Sequence, residues 1–248
     1  MSTAASNLPA VVAWSGFAIA FVFGAVAQRT NFCTMGAISD IVNMGSWGRM
    51  RMWMLAMAVA IAGAAALQLT GQVDLSKSIY TRPNFAWLSY LVGGFTFGVG
   101  MTLGSGCGNK TLVRIGAGNL KSVVVLAFLA ISAYMTMKGL FGIWRVRLLE
   151  PAAIDLAARG LAGQDLPSIV SAVAGLDRKA AYAGVAGVAA LALAAFAFKD
   201  RDFRTDFDHV LGGVVLGALI VAGWYGTGHV GFGENPDTLG AGCFGTNS

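Results

Sequence analysis

Apolar residues in this chain come in long blocks, without the alternation of strands or the one-sided stripe of a soluble helix, and charged residues punctuate the blocks. Uncharged runs cover residues 1–28, 52–73, 83–109, 122–137, 180–198 and 209–233. About 20 apolar residues carry a helix across ~30 Å of hydrocarbon, so the pattern predicts six membrane-spanning helices. The fourth run is short, and Lys121 and Lys138 extend it by snorkelling from its ends. No basic patch precedes the first run, which reads as a retained helix and not as a secretory signal. Segment 142–180 breaks the pattern with nine charges. Pro151 is placed to open a helix after Glu150, and Leu148, Ile154 and Leu161 are available to one apolar face, so this segment is expected to lie on the membrane surface.

Composition removes the competing classes. Only 12% of the 248 residues are charged, about half of the ~25% usual in a soluble domain, and 56% are hydrophobic. Neither a water-soluble globule nor a disordered chain fits, and three cysteines are too few for a disulfide-stapled secreted module. The net charge of +5 comes from 17 Lys and Arg spread between the apolar runs, a topology signal and not a nucleic-acid surface. The two sides carry nine and eight of them, too even to set an orientation. The expected fold is a single all-α integral membrane domain over residues 1–248.

An internal repeat of 74 residues organises the first half. Phe21-Val-Phe-Gly24 precedes Cys33 by the same spacing with which Phe95-Thr-Phe-Gly98 precedes Cys107, both reading F-x-F-G-x8-C. The repeat units run from about 10 to 50 and from 84 to 125. Each cysteine falls just past a span in a polar, glycine-rich stretch, Arg29-Thr-Asn-Phe-Cys33 and Gly104-Ser-Gly-Cys-Gly-Asn-Lys110. Irregular backbone at membrane depth survives only where protein buries it or water lines it, and matched breaks of this kind point to a transport site. Thr30, Asn31, Ser105 and Asn109 are available as N-caps for short re-entrant helices after the breaks. Such helices would aim free N–H groups at a ligand beside the cysteines, and Arg29, Lys110 and Arg114 add full positive charge. The implied ligand is an anion, with Cys33 and Cys107 as binding residues and Arg29, Asn31, Asn109, Lys110 and Arg114 supporting its path. A buried thiol is by default a small hydrophobe; the shared offset of two of them favours function.

Other readings fall away. Gly104-Ser-Gly-Cys-Gly-Asn-Lys110-Thr111 has Asn109 where a phosphate-binding loop needs glycine. There is no C-x-x-C, and His209 and His229 have no ligand-like spacing to the cysteines, so no metal, cofactor or hydrolytic triad is expected. Met35, Met44, Met50, Met52, Met54 and Met57 are read as apolar filler, with a copper path as the lesser alternative. His229, Glu234 and Asp237 form either a titrating cluster or a solvated tail. Gly94/Gly98, Gly100/Gly104 and Gly213/Gly217 match small-xxx-small helix packing.

The run Gly93-Gly-Phe-Thr-Phe-Gly-Val-Gly-Met-Thr-Leu-Gly-Ser-Gly-Cys107-Gly-Asn-Lys-Thr-Leu-Val-Arg-Ile-Gly-Ala-Gly-Asn119 resembles the signature of the YeeE/YedE family of sulfur-compound transporters. Asn31-Phe-Cys-Thr-Met-Gly36 is similar to its first cysteine motif, and the likeness is strongest over residues 10–125. The resemblance implies a multi-pass bacterial inner-membrane protein, not an enzyme, that imports thiosulfate along a cysteine-lined path through a pseudo-symmetric, hourglass-like body. It implies a small soluble sulfur-carrier protein as a cytoplasmic partner, and Cys33 and Cys107 as the first two cysteine positions. Family members continue into a second half with another glycine-rich cysteine motif. Cys243, in Gly240-Ala-Gly-Cys-Phe-Gly245, follows Gly233 by ten positions and not nine, an imperfect copy and the weakest substrate-site candidate. A missing C-terminal half or an oligomer is therefore expected to complete the path. A membrane thiol redox or persulfide-transfer protein, exchanging sulfur in place of the intact ion, is the alternative.

Overall fold

A computed structural model describes residues 8–73, 84–149, 151, 153–156, 163–175 and 177–230. The chain is an all-α membrane protein. In order, the α-helices of the described residues are α1 (Leu8–Arg29), α2 (Thr34–Met44), α3 (Gly48–Leu69), α4 (Trp87–Leu103), α5 (Gly108–Gly116), α6 (Leu120–Lys138), α7 (Leu140–Leu148), α8 (Leu166–Ala174), α9 (Arg178–Phe198), α10 (Arg201–Thr205) and α11 (Phe207–Tyr225).

Among the described residues, five stretches are long and apolar enough to cross a membrane: Ala10–Met44, Gly48–Leu69, Leu120–Lys138, Arg178–Phe198 and Phe207–Gly228. The third expected span, 83–109, contains only the 17-residue α4. At ~1.5 Å per residue α4 is about 26 Å long, short of a full crossing, because the chain turns at Gly104–Gly106.

The packed centre is α3 against α11 and α9. Met52, Leu55 and Ala56 of α3 and Leu216 of α11 are buried together with Ala27 and Phe32 of the first repeat. Close approach depends on α11 glycines: a Cβ at Gly213 would lie 3.0 Å from Leu55 Cβ, and one at Gly217 would lie 2.7 Å from the Ala56 carbonyl oxygen. This pair does what its spacing predicts. Gly94 and Gly98 do not, since nothing approaches within 4 Å of either and α4 buries none of its residues. Met52 is fully buried core, as expected of filler.

Within 142–180 the chain forms the end of α7, α8 and the start of α9. Ile154 is not on a helix opened by Pro151; Ile154 and Asp155 pair antiparallel with Phe85 and Asn84. Leu161, Glu234, Asp237 and Cys243 lie outside the described residues.

Candidate functional site

The 74-residue repeat is a repeat of hydrogen bonds. α1 ends with Thr30 N–H donating to Val26 O (2.9 Å), Asn31 N–H to Gln28 O (3.4 Å) and Phe32 N–H to Ala27 O (3.0 Å). α4 ends with the same three bonds moved by 74 positions: Gly104 to Gly100 (2.9 Å), Ser105 to Thr102 (3.3 Å) and Gly106 to Met101 (3.0 Å). This is the Schellman way of closing a helix, which needs one left-handed residue just past the end. Asn31 at φ 50° and Ser105 at φ 54° occupy that position, where most non-glycine residues are disfavoured. Neither Thr30 nor Asn31, Ser105 nor Asn109 caps the helices that follow. The caps are the cysteines. Cys33 opens α2 and Cys107 opens α5, each in extended conformation, and Ala37 N–H and Thr111 N–H bond back to their carbonyls at 2.9 and 3.0 Å. Cys33 Sγ also accepts from the Gly36 amide at 3.4 Å.

The two caps meet. Cys33 Sγ and Cys107 Sγ are 3.8 Å apart, both free and both buried. First-turn amides of a helix have no acceptor within it, so two sets of N–H groups and two positive dipole ends converge on the thiol pair. Side chains of the second repeat stitch it to the first break: Lys110 Nζ donates to Asn31 Oδ1 (3.3 Å) and Asn109 Nδ2 to Phe32 O (3.5 Å). Arg114 Nη1 donates to Ser105 O (2.9 Å), bracing its own break. Beside Asn109, a largely apolar cavity of about 860 Å³ opens between α1, α5 and α11, with Gln28 as its other polar lining residue.

Six of the predicted residues, Cys33, Cys107, Asn31, Asn109, Lys110 and Arg114, thus gather around the two breaks. Arg29 turns outward to Asp208, 3.2 Å away in an exposed ion pair. Missed from the sequence was a charged pair on the flank of α2: Arg49 Nε lies 2.7 Å from Asp40 Oδ2, with Asp40 buried. The signal was available, because Asp40 is the single acid among the first 73 residues, and a lone acid in apolar surroundings implies a partner. Among the described residues no group of three metal-ligating side chains occurs.

A family model described as Sulphur transport matches residues 29–246. A thiosulfate transporter, TsuA, of Spirochaeta thermophila is 27% identical over 214 residues, 85% of this chain and 61% of the relative. The thiosulfate transporter TsuA of Escherichia coli is 30% identical over 122 residues, 49% of this chain and 33% of the relative. In both cases the match spans less than two thirds of the relative's length.

Proposed function

Because the chain belongs to the Sulphur transport family, we propose that it carries thiosulfate or a closely related sulfur oxyanion across the bacterial inner membrane, with Cys33 and Cys107 as adjoining contacts for the anion's terminal sulfur. The observation that carries this reading is the 3.8 Å approach of the two thiols at the heads of two short helices. A dianion is prohibitively costly in hydrocarbon unless fixed dipoles and donors replace its water. The amides at the starts of α2 and α5, with Lys110 and Arg114 nearby, supply donors for the oxygens. Thiols suit the soft sulfur end, since S–H is a weak donor and weak binding at neighbouring sites permits onward movement. The ion passes intact and no bond is broken. The reading includes a small soluble sulfur carrier as recipient, and a further C-terminal half or a second copy of the chain to complete the path.

Uptake of labelled thiosulfate by cells carrying the chain tests this. Cys33→Ala and Cys107→Ala are each expected to abolish uptake with insertion intact, and Cys→Ser to retain little; wild-type rates in both alanine variants refute it. Unlabelled sulfite and selenium analogues as competitors identify the preferred anion.

The thiol separation favours one second reading. A cysteine thiolate would attack the terminal sulfur of thiosulfate, forming a persulfide and releasing sulfite, and the second thiolate would take over that sulfur. Thiosulfate labelled differently on its two sulfurs decides: intact transport delivers both labels inside, exchange only the terminal one.

A further inference from the structure

The buried acid on α2, Asp40, pairs with Arg49 beside the first break. Arg49 Nε lies 2.7 Å from Asp40 Oδ2 in an ion pair. Its Nη1 lies against Gly36, where a Cβ would fall 2.5 Å from Nη1 and 3.5 Å from Cys33 Cβ. The Gly36 amide in turn holds Cys33 Sγ. The guanidinium is therefore seated over the turn that fixes the thiol, and it fits there because residue 36 has no side chain. Asp40 retains only 10% of its side-chain exposure while Arg49 retains 30%, so the carboxylate is a sealed anchor and the cation stays reachable. The two Nη groups of Arg49 form a planar fork, the geometry that matches an oxyanion in two places.

We infer that Arg49, aimed by Asp40, reads the oxygen end of the sulfur anion held at Cys33 and sets the preference for a dianion there. This rests on the transport reading above. If Arg49 served only to neutralise Asp40, deleting both charges together would change little, since a buried ion pair is about as stable as a neutral replacement of similar size.

The experiment compares thiosulfate uptake kinetics of wild type, R49Q, R49K, the double variant D40N/R49Q and C33A, with methanethiosulfonate as a monoanionic competitor. The double variant leaves no uncompensated charge and keeps the test valid should R49Q alone insert poorly. Losing charge-assisted hydrogen bonds is expected to raise the KM of D40N/R49Q about tenfold or more with Vmax little changed. R49K, with charge but no fork, is expected to recover only part of the affinity, and the preference for thiosulfate over methanethiosulfonate is expected to fall in both. Wild-type KM and preference in D40N/R49Q, with C33A inactive, overturn this inference alone. Wild-type uptake in C33A overturns the transport reading and this inference together.

Discussion

The two repeats close their helices with the same hydrogen bonds but sit in opposite surroundings. In the first, Ala27, Thr30, Phe32, Cys33 and Ala37 are buried, Ala27 and Phe32 within the core that α3 and α11 form. Phe32 stacks on Trp53 at 4.5 Å between ring centroids, and Thr30 packs where a Cβ at Gly212 would come within 2.7 Å of its Cγ2. In the second, the place of Phe32 is taken by Gly106, and α4 buries nothing. One copy is anchored in the core and the other is held through its break and its short helix. The break is thus a local device, closed within six residues, and it works whether or not the flanking helix is packed. The pair of thiols joins a break anchored in the core to one whose preceding helix buries no residue.

That contrast can be broken at single residues. The largest effect is expected from Phe32→Ala, which empties a buried aromatic site and should destabilise the folded protein in detergent by roughly 3–5 kcal/mol. Phe97, 59% exposed on α4, should cost far less as Phe97→Ala, and equal losses in the two unfolding curves would show that the second repeat is as well anchored as the first. Next comes overpacking. Gly217→Val pushes new methyl groups against the Ala56 carbonyl and Val59 and should cost about 1–3 kcal/mol or more. Gly98→Val has open space and is expected to leave the melting temperature nearly unchanged. The smallest effect sharpens the likeness of the breaks. Ser105→Gly relieves a left-handed residue and should stabilise by about 0.5–1 kcal/mol. Asn31→Gly should gain less, because it forfeits the bond from Lys110. A melting temperature lowered by Ser105→Gly would refute the strain argument.

Much of this was legible because it is local. The charge-free runs locate the long helices, and α6 matches its short run once Lys121 and Lys138 are counted in. The third run overstates its helix for a local reason too: absence of charge says nothing of where a glycine-rich turn ends a helix. The caps were misassigned because Thr, Asn and Ser outrank cysteine as cap formers in water, whereas here Asn31 and Ser105 are taken up in ending the preceding helices. Arg29 was grouped with the anion path on sequence proximity, and its actual partner, Asp208, lies 179 positions away.

What the sequence determined by itself is the set of segments and their punctuation: apolar length makes helices, and a duplicated motif makes duplicated breaks, since both depend on hydrogen bonds that span six residues or fewer. What only the tertiary structure decided is which groups meet. The 3.8 Å between sulfurs 74 positions apart, and the seat of Arg49 over Gly36, follow from how helices pack, and no periodicity along the chain encodes a distance across it.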